Sequence, residues 1–274
     1  MRRIDSLAVA GALVVLAAVV LAAAAPALAP GDPIKNSLLD RLTPPTWGRE
    51  HPLGTDTLGR DVASRLLHGA RVSLVVGFSA VLLAGVVGVA LGLVSGWYRG
   101  WLDDMLMRLG DVQLAFPVLV LAVAVLAVLG ASVLNLILVL GVTGWITYAR
   151  IVRGEVLTLR ERDFVSAARA LGADDAWILR RHLLPNVLPP ITVVATFSVA
   201  RTIIAEASLS FLGLGIPAPE PSWGAMLDEG RNYITTGWWL ALFPGLAILV
   251  LVLGINLVGD WLRDVLDPRL ERGL

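Results

Sequence analysis

Residues 154–190 read GEVLTLRERDFVSAARALGADDAWILRRHLLPNVLPP, the only long polar stretch in the second half of the chain. Uncharged runs lie on both sides of it, so it reads as a helical loop hung between membrane spans. Phe164, Ala167, Ala168 and Leu171 fall at i, i+3, i+4 and i+7. That spacing lines up one narrow apolar stripe on a helix. Asp163 is placed to cap the helix N-terminus, and Gly172 is the residue type on which helices commonly end. A second short helix is expected from Asp174. Asp174 and Asp175 sit at the positive end of its dipole, and Arg180 and Arg181 near the negative end. Pro185 is expected to stop it, because proline lacks the N–H that would continue the ladder. Two short helices joined at a glycine make a compact knuckle, a shape suited to a groove on a partner.

Composition supports the membrane setting. Of 274 residues, 57% are hydrophobic and only 16% charged, with a mean hydropathy of +0.77. Such a chain lies outside the usual soluble range, and one polytopic domain is the economical reading. Formal net charge is zero, which gives no case for a nucleic-acid partner. No cysteine is present, so disulfides and thiolate metal sites are excluded. The lone lysine, Lys35, has no G-x-x-x-x-G-K-[ST] around it, so the chain carries no P-loop.

The apolar runs predict six spans. Residues 7–25 make the first, long enough to cross a hydrocarbon core of about 30 Å. A cleavable signal peptide competes there, since Ala27-Leu28-Ala29 has a small-x-small pattern. The run exceeds the usual length of such a segment and Pro30 would follow the cut, so the span is kept. Residues 26–71 are broken by six prolines and read first as irregular loop. Residues 61–71 then read as an amphipathic helix at the interface. The segment GTDTLGRD (54–61) mixes glycines and aspartates. It lacks the spacing of a calcium or phosphate loop and reads as a turn that docks on the second span.

Residues 72–96 are a second span whose Ala84, Gly88, Gly92 and Gly96 form a flat face for close helix packing. Trp97, Tyr98 and Trp101 mark its interfacial end. The 38 uncharged residues 112–149 would stretch roughly 57 Å as one straight helix, too long for any bilayer. They must fold as a hairpin turning at Gly130-Ala131-Ser132, with the third span starting near Met105 and kinked at Pro117. Gln113, Asn135 and Thr143 read as interhelical hydrogen-bonding groups. Residues 188–211 are the fifth span and carry Arg201 and Glu206, two ionisable groups at membrane depth. Five residues apart on a helix, they are poorly aligned for an ion pair with each other. Structural anchoring and a place on the solute pathway are both open for them. Residues 238–261 are the sixth span.

At this point the chain resembles the permease subunits of bacterial ABC importers. Their cytoplasmic loop carries E-A-A, three residues, G, nine residues, I-x-L-P. Ala167, Ala168, Gly172, Leu184 and Pro185 fall in register, while Ser166 replaces the glutamate and His182 the isoleucine. HPLGTDTLGRDVASRLLHGARVSL (51–74), AEASLSFLGLGIPAPEPSWGAML (205–227) and DVLDPRL (264–270) are similar to the dipeptide, oligopeptide and nickel branch of that family. The resemblance covers nearly the whole chain.

It implies an all-α type I importer permease fold. That fold has six transmembrane helices, a first unit at 1–71, a core of five spans at 72–274 and a coupling loop at 154–187. It implies a multi-pass protein of the bacterial inner membrane with membrane lipid around it. The implied partners are a second homologous permease, two ATP-binding cassette ATPases and an extracytoplasmic binding protein. No cofactor is expected on this chain, with ATP and Mg on the ATPase subunits. The loop residues Asp163, Phe164, Ala167, Ala168, Leu171, Gly172, Leu184 and Pro185 would serve coupling. With both termini inside, 14 basic residues fall on the cytoplasmic side, 7 outside and Arg201 in the membrane, in keeping with the positive-inside bias.

A secondary transporter using Arg201 and Glu206 in an ion relay is the alternative. It would be favoured by inverted repeats or matching broken helices, which the sequence lacks. A membrane enzyme has little support from three histidines (His51, His68, His182) and no H-E-x-x-H. Peptide, nickel chelate and glutathione-like solutes all stay open.

Overall fold

The computed structural model describes residues 6–46 and 51–266. Among the described residues the regular structure is all helical apart from a single β-bridge between Thr55 and Asp61. Among the described residues, five helices are long and apolar enough to cross a membrane, or six if one pair bent by 87° crosses as a single broken span. Part of the DVLDPRL segment lies outside the described residues.

The first span is α1 (Ser6–Ala23), followed by the single turn α2 (Ala25–Leu28). The next is α3 (Val62–Tyr98), whose 37 residues extend roughly 55 Å. Asp61 caps α3 by accepting from the Ser64 amide at 2.7 Å. Residues 62–71, expected as a separate interfacial helix, are therefore the first turns of α3 itself. No proline interrupts them. Arg65, one of their charged residues, is buried against Asp56 and Glu229. The boundary drawn at residue 71 falls inside this helix.

The small-residue face of α3 packs on α6 (Val133–Leu159). A Cβ at Gly88 would sit 2.3 Å from the Trp145 carbonyl oxygen, and one at Gly92 2.6 Å from that of Ala149. Only glycine allows two backbones this close. Between them, α4 (Gly100–Leu114) and α5 (Val118–Leu129) meet at 87° across Pro117. The expected kink is a full break. The turn falls where the hairpin length required it, with Gly130 at φ +81° and Ser132 capping α6. Gln113 bridges α4 to α6, donating to the Thr143 carbonyl at 2.6 Å and accepting from the Trp145 indole at 2.8 Å. Asn135 ties the turn, and the Thr143 hydroxyl bonds its own helix.

After α7 (Asp163–Ala170) and α8 (Asp175–Ile178), a π-helical turn at Leu179–Leu183 leads into α9 (Leu184–Phe211). The segment 212–237 contains α10 (Trp223–Gly230), capped by Ser222. The last span is α11 (Trp239–Leu266). It packs on α1 through Gly11 and Gly254, where a Cβ on Gly11 would lie 2.8 Å from the Gly254 carbonyl oxygen.

The bundle has two differently built ends. At one, the GTDTLGRD turn docks on α3 and α10. Asp56 binds Arg60 Nε at 2.6 Å and also Arg65, while Glu229 of α10 binds Arg60 Nη2 at 2.9 Å and Arg65 Nη2 at 3.0 Å. Trp223 donates to the Leu66 carbonyl and Trp239 to that of Thr55. The other end carries α7 and α8.

Candidate functional site

The polar stretch folds as a knuckle whose joints are made by side-chain and backbone chemistry. Helix α6 runs on to Leu159, so the loop proper starts at Arg160, later than residue 154. Arg162 is the N-cap of α7 and makes no side-chain bond; Asp163, expected as the cap, is the first helical residue. There its carboxylate still faces the positive end of the helix dipole. The C-terminus closes as a Schellman turn: the Ala173 amide donates to the Ala168 carbonyl and the Gly172 amide to that of Arg169. Gly172 has φ +86°, the conformation glycine adopts without penalty.

Asp174 then caps α8, accepting from the Trp177 amide at 2.7 Å. Pro185 does not stop this helix. The turn before it widens to a π turn, with the Leu184 amide bonded to the Leu179 carbonyl five residues back. Pro185 follows in the first turn of α9, where a missing N–H costs little. The wider turn also resets the helix face. Ile178, Leu183 and Val187 are spaced five and then four residues apart, and all are fully buried.

The predicted apolar stripe divides. Ala168 turns inward, 8% exposed, beside the fully buried Val165. They share a core with Val152, Val156, Ile178 and Leu183, with Leu184 packed against it. Phe164, Ala167 and Leu171 face outward, and Leu171 is 88% exposed. Trp177 and His182 extend this outer face. The His182 ring lies 5.7 Å from Phe164 and 4.9 Å from Trp177. Exposed Arg180 and Arg181 border it, and Pro185 is exposed as well. An apolar patch rimmed by arginines can seat in a groove while salt-dependent contacts orient it.

Trp97 supports the knuckle from below. It was expected at a membrane interface with Tyr98 and Trp101, but only those two are exposed; Trp97 is buried. Its ring lies under the guanidinium groups of Arg169 and Arg160, at 4.6 and 5.8 Å. Arg160 Nη1 also donates to the Trp97 carbonyl at 2.6 Å. Val165 and Arg169 were not singled out from the sequence, and Trp97 was read only as an interfacial residue. The one available signal was Val165 at i, i+3 from Ala168.

Arg201 and Glu206 are not brought together. Glu206 is fully buried and accepts from Ser210 Oγ at 2.7 Å and from Ser73 Oγ of α3 at 3.0 Å. Arg201 is exposed and lines a separate cavity between α3, α5, α6 and α9. The relay reading needs the two groups in one path, and this arrangement does not supply it. Among the described residues, no cluster of three or more His, Asp or Glu side chains is placed to hold a metal ion.

Comparison with known proteins agrees with this geometry. Residues 88–272 match the family model for the binding-protein-dependent transport system inner membrane component. A Brucella suis protein named as a peptide transport system permease is 48% identical over 94% of this chain and 87% of its own length. The di/tripeptide transport system permease protein DppC of Pseudomonas aeruginosa is 43% identical, covering 96% and 88%. The glutathione transport system permease protein GsiD of Escherichia coli is 43% identical, covering 98% and 88%. A chain of the inward-facing MetNI methionine ABC transporter superposes with a TM-score of 0.58 at 21% identity, over 74% of this chain and 96% of that one. The chain belongs to the family of inner-membrane permease components of binding-protein-dependent ABC transport systems.

Proposed function

We propose that this chain is one of two permease subunits in an ATP-driven bacterial importer for peptides or similar small solutes. The relatives named for peptides, di/tripeptides and glutathione support that solute class. The observation that carries the coupling role is the two-sided knuckle. One face is locked into the bundle by Val165, Ala168, Ile178 and Leu183, and the other presents Phe164, Leu171 and Trp177 to a partner. A rigid base under an exposed apolar face can transmit a displacement.

In this reading both termini and the knuckle are cytoplasmic, as the arginine distribution favours. Two ATPase subunits, which carry ATP and Mg, grip the knuckles of the two permeases. The ATPases must bind the knuckle differently in their open and closed states, because only differential affinity shifts the equilibrium of the spans. A binding protein delivers solute at the opposite end, built from the 26–61 segment and α10.

Leu171→Asp is the direct test, because the side chain stands in solvent and its loss leaves the fold alone. The purified permease pair should assemble normally, yet lose bound ATPase by about ten-fold or more, the scale of a single apolar anchor in a groove. Substrate-stimulated ATP hydrolysis should fall with it. Full ATPase retention together with full transport would remove the knuckle from the coupling path.

A further inference from the structure

We propose that Arg201 is the carboxylate anchor of a solute site within the membrane-spanning bundle, taking a small solute by a free carboxylate such as the C-terminus of a short peptide. The inference rests on the importer reading above and adds where, and by which chemical group, the solute is held.

Arg201 lies ten residues before the end of α9, about 15 Å along the helix and so close to half the depth of a bilayer core. A guanidinium at that depth is costly unless it meets an anion or water. Among the described residues it makes no ion pair, and the nearby carboxylate, Glu206, is engaged by Ser73 and Ser210 instead. Arg201 borders a cavity of about 350 Å³ whose lining contains no Asp or Glu. An exposed positive charge thus stands at the rim of a space whose lining holds no counter-charge.

A second observation points into the same space. Tyr148 is buried, and its hydroxyl, beside Ser198 and Arg201, makes no hydrogen bond of regular geometry, Ser198 being the one side chain close enough to engage it. Buried polar groups are nearly always well satisfied, so a hydroxyl this poorly partnered has capacity for a further hydrogen bond. Thr147 and Thr202 add hydroxyls to the lining. One guanidinium fork with a phenol and small hydroxyls beside it suits a carboxylate: two parallel N–H donors to its oxygens, with O–H donors completing the shell. Apolar Val81, Leu140 and Ile204 cover the rest of the cavity and suit the body of a small solute.

The four-subunit transporter, purified without nucleotide or binding protein, provides the test. Saturation-transfer NMR would compare alanyl-alanine with its C-terminal amide as probes. The free acid should give a signal roughly ten-fold stronger in the wild type, as expected for a charge-assisted contact. Arg201→Gln should erase that preference, and Arg201→Lys should restore part of it, which a packing role would not do. An Arg201→Gln complex that keeps the preference overturns the proposal. So does loss of assembly in Arg201→Gln, which would place the counter-charge on the second permease. If the wild type with its binding protein imports no peptide into proteoliposomes, the peptide reading itself fails and takes the anchor with it. Import without any preference for the free acid ends the anchor alone.

Discussion

The guanidinium carbon of Arg169 lies 4.6 Å from the centre of the Trp97 ring, which clamps the last turn of α7 onto the last turn of α3. The contact connects the knuckle to the longest helix of the bundle, whose opposite end carries Arg65 and its ion pairs. A tilt of α3 would therefore be felt directly at the knuckle. Arg160, over the same ring and bonded to the Trp97 carbonyl, doubles the attachment.

Trp97→Ala should release this clamp. Truncating a buried tryptophan costs about 3–5 kcal/mol, with a further ~0.5–2 kcal/mol from each lost cation–π contact. Helices α3 and α6 remain packed through Gly88 and Gly92, so the bundle should still insert. Limited trypsin digestion reads the effect: cleavage at Arg160, Arg162 and Arg169 should accelerate several-fold. An unchanged digestion pattern would show that the knuckle is held without Trp97.

Gly172 separates conformation from contact. A Cβ there meets nothing within 4 Å, so any effect of substitution comes from the backbone at φ +86°. A β-branched residue in that region costs about 1–2 kcal/mol, whereas asparagine is tolerated. Gly172→Val should lower substrate-stimulated ATP hydrolysis and Gly172→Asn should leave it near wild type. Equal activity in both would mean the turn can relax without loss of coupling.

How much of this was legible follows the range of the interactions. The glycines at 88, 92 and 96 could be read because their spacing of four is a property of one helix, and the packing on α6 uses that face directly. The hairpin at Gly130 followed from length alone. The knuckle's glycine joint was likewise local. The start of α3 was not legible, because the polar residues after Asp61 look interfacial until Glu229, 164 residues beyond Arg65, is placed beside them. The π turn before Pro185 depends on burying Ile178, Leu183 and Val187 together, which no fixed helical period shows. The inward turn of Ala168 has the same cause: Phe164, Ala167 and Leu171 share a stripe with it, but Val165 decides which edge of that stripe meets the core.

Glu206 is placed as a tie between helices. Its two oxygens accept from Ser73 on α3 and Ser210 on its own helix, at zero exposure. Glu206→Gln keeps one acceptor oxygen and most of the shape, so a loss of about 1 kcal/mol is expected. Glu206→Ala leaves two buried hydroxyls and a void, and should cost several times more. Thermal unfolding of the detergent-purified complex measures both, with the alanine variant melting well below the glutamine variant. Transport should follow the amount of assembled complex. A Glu206→Gln complex of normal stability and abundance but without transport would move the residue from anchoring to the solute pathway.

The two ends of the bundle can be assigned to sides of the membrane with single cysteines, because the chain contains none. Leu171 is 88% exposed on the knuckle, and Leu39 is 99% exposed in the segment between α2 and α3, at the opposite end. Neither side chain supports the fold, so Leu171→Cys and Leu39→Cys should leave it intact. The excess of arginine around the knuckle favours retention of that end in the cytoplasm. The six lysine and arginine residues of the 26–71 segment pull the other way, but the excess of 14 basic residues over 7 still favours the knuckle end inside. A membrane-impermeant maleimide added to intact cells, with the outer membrane permeabilised, should label Leu39→Cys and spare Leu171→Cys. Lysis should then make Leu171→Cys reactive. Labelling of Leu171→Cys before lysis would invert the topology, and an ATPase docked on the knuckle from the cytoplasm would no longer be geometrically possible.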